Sequence, residues 1–556
     1  MELGIRNNIM TQLNHSMFKK WYIAIVLAIC CITSFLIRCI PFFNGVTFTN
    51  LPDSLYTIRL MELIEYNGYL PLIDYFTAFP AGNHVVWGSV FTHICILLKP
   101  LLFFVPPLLF CGVIILVYFI AKYLFDNKNI GLLSAILVSV VCGQLFYRSL
   151  YGAIDHHIAE VFFSCLFCLC YILLVKKQNY RFIIPCIISY FFLINVMTTC
   201  VFFGLIVCVS AFVLYFVKKG NGFIYQANVL IFGVISVLLL LTINTFELNV
   251  YDYSLGLVLV HCLIVFGNIV LLVCNKWHIS KVIVAGLSGI CVILIVLTPE
   301  LYNMFSQFIP STVAIAEMYS YSLDMAFLTF GFMLIVALIG VARAFKFIEK
   351  AEIIFLFSWL TVMLFTTLAH LRWEYYLAVV VCIFAGFGLW SLFKTRRLLA
   401  IALLILIIIT SCFIGVYIAE TPTNDETERW QNVGDWLQKN TPPLDYYDNA
   451  PVGAYCILSS WEYGHYIEVW GHRIPYSNPF QSNSDSEYML LYGNAIDAKY
   501  VIITEELLTN KFNAVKNFAN VEIAVNDTFM YKLYHETVNN YSLVYEYSGI
   551  KVFEKS

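Results

Sequence analysis

Arg148-Ser-Leu-Tyr-Gly-Ala-Ile-Asp155-His156-His157-Ile-Ala-Glu160 lies between two apolar runs, 130–147 and 159–175. A helix of about 20 apolar residues crosses a bilayer, so this charged stretch reads as a short loop joining two membrane spans. Working outward, apolar stretches of similar length recur at 22–40, 106–124, 181–197, 200–217, 227–243, 254–274, 281–298, 326–346, 353–370, 373–393 and 398–418. Of 556 residues, 61% are hydrophobic and 12% charged, more apolar surface than a soluble fold of this length buries. The chain therefore reads as a polytopic α-helical membrane protein with about 13 transmembrane helices. A net charge of −3, without a basic run interleaved with aromatics, sets aside a nucleic-acid partner. Nearly all of the 18 cysteines lie in apolar spans and read as small hydrophobes.

Charge orients the spans. With a cytoplasmic N-terminus and the first span kept as a signal anchor, the loops on one side hold only Arg38, Arg59, Lys99, Arg148 and Arg372. Nearly all the other Lys and Arg outside the C-terminal region fall opposite, and this positive-inside bias requires an odd number of crossings. The stretch 85–98 must then not cross, which makes 41–105 one long external loop. Two domains are expected: a transmembrane part, 1–419, with external loops at 41–105, 148–158 and 299–325, and an extracytoplasmic lobe, 420–556. In the lobe, Trp430 to Leu437 has helical spacing. Runs at 454–459, 465–470, 499–504, 521–525, 529–534 and 542–553 read as strands and 504–518 as helix, giving a mixed α/β domain. Asn526-Asp-Thr and Asn540-Tyr-Ser are N-glycosylation acceptor triplets.

Ionisable residues at membrane depth are costly unless they act, and here they gather on the outer side. Asp155 and His157, two apart, share one side of an extended loop and can hold one divalent cation; a hydrated His-rich loop is the equally open alternative. Asp53, in Asp53-Ser-Leu-Tyr56-Thr-Ile-Arg59, precedes an amphipathic helix and reads as a functional carboxylate or a simple N-cap. Glu317 is a lone acid in a mostly apolar loop. Arg372 beside a span end suits a phosphate or snorkels to the interface. In the lobe, Ser460-Trp461-Glu462-Tyr463-Gly464-His465 reads as a small hydrogen-bonding pocket or a packed turn.

Together these motifs resemble the catalytic subunit of N-oligosaccharyltransferases, in particular the short single-subunit archaeal and bacterial type (AglB/PglB-like), over nearly the whole chain. Asp53 with Tyr56 and Arg59 is similar to the family's first aspartate motif. Asp155-His156-His157 is similar to the second, and Glu317 to the acid ending the Thr-Ile-x-Glu loop motif, with Ala314 in place of Thr. Trp461-Glu462-Tyr463-Gly464 resembles Trp-Trp-Asp-Tyr-Gly, with Ser460 and Glu462 as departures, and Lys511 matches the helical segment beside the acceptor pocket.

The resemblance implies a GT-C type fold and en bloc transfer of an oligosaccharide from a lipid-linked donor, a polyprenyl phosphate or pyrophosphate, to Asn-x-Ser/Thr in an acceptor polypeptide. It implies catalytic roles for Asp53, Glu317 and Arg148, and Mg²⁺ or Mn²⁺ held by Asp53, Asp155 and His157. Arg372 would bind the lipid phosphate, and Trp461, Glu462, Tyr463 and Lys511 the acceptor, in a single subunit at the plasma or inner membrane. The rival readings are a related glycosyltransferase with a hydroxyl or lipid acceptor, a lipid-linked glycan transporter, and a receptor or structural membrane protein.

Overall fold

The computed structural model describes residues 21–85, 88–217, 221–243, 246, 248, 253–299, 319–447, 454–480, 485–493 and 498–556. Every apolar stretch read from the sequence falls on helix. Among the described residues, nine helices are long and apolar enough to cross a membrane, from Trp21–Arg38 to the one beginning at Arg397. The chain is a multi-pass membrane protein.

Two expected spans are not straight helices. The run 130–147 stops at Val140 and resumes as the short helix Gln144–Tyr147. Between them Gly143 has φ +79°, and a Cβ there would meet Thr329 and Glu374 at 2.7–2.8 Å. A residue with a side chain would be both strained and crowded at that position, and Glu374 instead accepts the Gln144 N–H. The run 326–346 divides into Leu323–Phe330 and Met333–Phe347, which meet at a 93° bend. Lys128–Val140 and Tyr180–Val196 are shorter apolar helices. Ser89–Leu97, inside the stretch expected not to cross, has nine residues, about 14 Å of helix, which is too short to span.

The helix Leu51–Asn67 joins the bundle to the lobe. Asn50 precedes it as N-cap, Pro52 sits in its first turn, and Gly68, left-handed at φ 79°, ends it, in keeping with the Pro-start, Gly-stop asymmetry of helices. Asp53 is therefore not the cap but a first-turn acid, where the positive helix end favours a carboxylate. Arg59, two turns on, is buried and makes a bidentate pair with Asp74, both N–O distances 2.8 Å. It also donates to the Tyr446 carbonyl at 3.0 Å and lies 4.0 Å from the Tyr446 ring centroid. Tyr56 packs against the rings of His465 and Phe480, at 5.0 and 4.6 Å. One helix face thus carries the catalytic candidate at its start and the lobe's seat along its length.

The lobe is a five-stranded sheet in the order β4-β3-β5-β7-β6, with β3 Cys456–Leu458, β4 Ile474–Pro475, β5 Ala498–Thr504, β6 Tyr541–Tyr547 and β7 Ile550–Lys555. A separate pair, β1 Ile73–Asp74 and β2 Asn83–His84, lies in the segment between the helices Leu51–Asn67 and Ser89–Leu97. β3 runs parallel to β4 and β5, and β7 antiparallel to β5 and β6. Trp430, Val433 and Leu437 bury one face of Asp425–Asn440.

Three stretches read as strands are not. Gly464–Val469 is helix and buried throughout, so its apolar alternation carries no information about period. Phe529–Tyr534 is helix because Thr528 caps it and Met530 and Leu533, three apart, are its buried positions. The stretch 521–525 leads into a 3-10 turn, Val525–Asp527.

Candidate active site

The loops that carry Asp53 and Asp155 are stitched together by backbone. Gly152, at φ +78°, passes so close to Thr47 that a Cβ would lie 2.3 Å from the Thr47 carbonyl oxygen. Ser54 Oγ donates to the Gly152 carbonyl at 3.3 Å and accepts the Ile154 N–H at 3.0 Å, while Thr49 Oγ1 donates to the Tyr151 carbonyl. This registers Asp53 against Asp155. Asn50 Nδ2 donates to both, at 2.9 and 3.1 Å. Arg148 Nη1 lies 2.9 Å from Asp155 and 3.4 Å from Asp53. Asp155 is fully buried, whereas a quarter of the Asp53 side chain stays exposed.

Asp155, His156 and His157 each offer a ligand atom within 4.8 Å of the others, a group able to hold a metal ion. His157 Nε2 is 3.3 Å from Asp155, and its Nδ1 is 2.9 Å from Glu160 Oε1. A carboxylate on the far ring nitrogen is the arrangement that orients metal-binding imidazoles. Glu160 also meets His156 at 3.1 Å and accepts from Tyr376. A carboxylate with two imidazoles fits a borderline divalent cation better than a hard one. Asp53, expected among the ligands, is outside this group of three and is linked to it by Asn50 and Arg148. The loop is also not extended at its end, since His157 opens a helix running to Lys177, and that turn brings in His156.

Electrostatics separate the two aspartates. Burial and the neighbouring Asp155 charge push the Asp53 carboxyl up. Burial opposes ionisation of Asp155 as well, but His157, His156 and Arg148 outweigh it and hold that carboxyl well below its usual range. Burial likewise disfavours a charged His156, yet Asp155 and Glu160 raise it to about 9.

The lobe supplies the other wall. A cavity of about 370 Å³ is lined by Thr49, Asn50 and Tyr147 from the membrane part, and by Glu426, Glu462, Tyr463 and Lys511 from the lobe side. Lys511 Nζ is 3.1 Å from Glu462 and 3.1 Å from the Tyr463 hydroxyl. Burial pushes the Glu462 carboxyl up, with Lys511 opposing it, while Tyr463 and Glu462 overcome the burial of Lys511 and keep it protonated. Beneath the turn, Glu487, fully buried, accepts from Ser460 Oγ at 2.9 Å and the Trp461 N–H at 3.0 Å. Trp461 packs on Phe518, ring centroids 5.4 Å apart.

Arg372 sits in the 3-10 turn Leu371–Trp373 before the span Glu374–Thr395, its guanidinium 5.3 Å from the Trp373 ring centroid. Glu317 lies outside the described residues. Asn50, His156, Glu160 and Glu487 escape the sequence reading. Of these, Asn50 before Leu-Pro carries a cap signal, and Glu160 stands one helical turn from His157.

The chain is thus a helical membrane bundle with a packed α/β lobe, and the cavity they share lies beside an Asp-His-His cluster. The fold matches the archaeal oligosaccharyltransferase AglB from Archaeoglobus fulgidus in complex with an inhibitory peptide and a dolichol-phosphate. The TM-score is 0.82, at 19% identity, covering 95% of this chain and 80% of that one. A structure of the Archaeoglobus fulgidus oligosaccharyltransferase in complex with Zn and sulfate gives a TM-score of 0.76 at 19% identity, over 94% of this chain and 79% of that one. In sequence, the chain is 22% identical to dolichyl-phosphooligosaccharide-protein glycotransferase 3 of Archaeoglobus fulgidus in an alignment that covers 92% of this chain and 73% of the relative. No family model matches the chain.

Proposed function

We propose that the chain transfers an oligosaccharide en bloc from a polyprenyl phosphate or pyrophosphate to the side-chain amide of Asn in Asn-x-Ser/Thr, as a single subunit facing outward from the plasma or inner membrane. The observation that carries this reading is the shared cavity: Asn50, whose amide binds Asp53, and Glu462, Tyr463 and Lys511 of the acceptor motifs all line it. An acceptor strand lying there meets both the lobe and the outer loops.

A carboxamide nitrogen is a poor nucleophile because its lone pair is delocalised into the carbonyl. Asp53, and Glu317 in this reading, accept hydrogen bonds from its two N–H groups, weakening that conjugation and aiming the lone pair at sugar C1. Attack from the face opposite the phosphate inverts the anomeric centre. Negative charge then gathers on the leaving phosphate, and Arg148 and Arg372 supply fixed positive charge near it. A divalent cation, Mg²⁺ or Mn²⁺, bound at Asp155, His156 and His157 with Asp53 alongside, would supply Lewis-acid stabilisation of that charge. Glu160 holds the His157 ring and Asn50 holds both aspartates in register. Glu462, Tyr463 and Lys511 grip the Ser/Thr side of the acceptor. Transfer of glycan from a lipid-linked donor to an Asn-x-Thr peptide by the purified chain is the test.

A further inference from the structure

The lobe carries two acceptor-type triplets of its own, Asn526-Asp-Thr528 and Asn540-Tyr-Ser542, and the fold treats them differently. Thr528 is fully buried, and its hydroxyl donates to the Val525 carbonyl at 2.7 Å while accepting the Tyr531 N–H at 3.2 Å. It is the cap of Phe529–Tyr534, and Asn526 sits in a 3-10 turn. Offering that hydroxyl to a binding pocket means unwinding a helix whose Met530 and Leu533 are core residues.

Asn540 and Ser542 are both exposed, and Ser542 lies on β6, the outermost strand of the sheet. Asn540 lies in the turn whose Tyr541 N–H reaches the Val538 carbonyl, and Ser542 follows at the start of the strand, so the amide and the hydroxyl both stand in solvent with no helix to unwind. An edge strand also has one side free of ladder partners. Because the lobe itself walls the cavity, Asn540 faces the same compartment as the site, whichever compartment that is. The strand is built into the lobe, with Tyr545 stacked on Trp436 at 4.9 Å, so entering its own cavity would require leaving the sheet. A second copy has no such constraint.

We propose that Asn540 is a self-modification site, glycosylated by another copy of this chain, and that Asn526 is not; this rests on the transfer activity proposed above. The Asn540 amide nitrogen bonds to sugar C1, and the C1–O bond to the lipid phosphate breaks with its electron pair passing to that phosphate. The displaced amide proton goes to solvent.

The experiment incubates the full-length purified chain in liposomes with Mn²⁺, a lipid-linked oligosaccharide and a labelled Asn-x-Thr peptide, followed by mass spectrometry of the digested chain. The expected result is glycan mass on the Asn540 fragment and none on the Asn526 fragment. Asn540→Gln and Ser542→Ala each abolish it with peptide transfer unchanged, and Asp53→Ala chains are modified only when mixed with wild type. Peptide glycosylation with Asn540 bare, or with Asn526 modified instead, overturns the inference and leaves the transfer activity standing. Failure of the peptide itself to be glycosylated overturns the activity, and this inference with it.

Discussion

Asn50 and Asp155, 105 residues apart in sequence, are joined by a hydrogen bond of 3.1 Å, and the same amide nitrogen reaches Asp53 at 2.9 Å. Two carboxylates this close repel unless something positive or hydrogen-bearing stands between them. Asn50 and Arg148 do so from two directions.

Replacing that amide exposes the repulsion. Asn50→Asp adds a third carboxylate and is expected to abolish transfer. Asn50→Ala, which loses two hydrogen bonds to charged groups at about 1.5–3 kcal/mol each, is expected to lower kcat by roughly ten- to a hundredfold. Steady-state transfer to a peptide measures both, and equal activity in the two variants would show that Asn50 does not hold the aspartates.

Arg148 is buried between the same two acids. Removing one partner of a buried ion pair costs about 3–5 kcal/mol, so Arg148→Met is expected to lose activity and lower the Tm, whereas Arg148→Lys keeps the charge and recovers part of the Tm. Thermal melts in detergent check this; an unchanged Tm for Arg148→Met counts against the pairing.

The imidazole donors set the metal response. EDTA is expected to stop transfer, with Mn²⁺ restoring more than Mg²⁺ at equal concentration. His156, held protonated up to about 9 in the metal-free chain, must release its proton to a metal, so apparent affinity is expected to rise with pH toward that value and to lose most of this dependence in His156→Ala. Calorimetric titration of Mn²⁺ at several pH values reads it. A pH-independent affinity in the wild type contradicts His156 as a ligand.

Glu487 gives the lobe its own pH dependence. Burial raises its carboxyl from 4.5 to about 7, with Ser486, Trp461 and Ser460 opposing the rise. A folded-state pKa above the unfolded one stabilises the protein fully below the unfolded value, and that contribution is lost as pH rises through the folded value. The window is therefore about pH 4.5 to 7, and the loss amounts to about 3 kcal/mol. The wild-type Tm is expected to fall between pH 5 and 8 by several degrees more than that of Glu487→Gln, whose neutral amide stays put. Parallel curves for the two chains would remove Glu487 as the cause.

Much of this site is legible without coordinates, and the reasons differ by residue. Asp53, Asp155 and His157 stand out because ionisable groups among apolar spans are few, Glu462 because it lies in a Trp-Glu-Tyr-Gly run, and Lys511 only through the resemblance of its segment to a family motif. The Asp155–His157 proximity is readable from spacing, but His156 joins them only because the chain turns into a helix at residue 157. The sequence marks Asn50 only as a helix cap and Glu487 not at all, because each acts across the tertiary structure on partners distant in sequence. The break at Gly143 is likewise tertiary, set against Thr329 and Glu374, and hydropathy averages across it. In the lobe, complete burial of 464–469 erased the periodicity that separates helix from strand.

The most direct test places the purified chain with a lipid-linked oligosaccharide, Mn²⁺ and a fluorescent Asn-x-Thr peptide, beside Asp53→Ala and an Asn-to-Gln peptide. Glycosylated peptide from the wild-type chain, and none from either control, is the expected result. No product from a folded, metal-loaded wild-type chain, or equal product from Asp53→Ala, would contradict a site in which the outer loops and the lobe work on one acceptor asparagine.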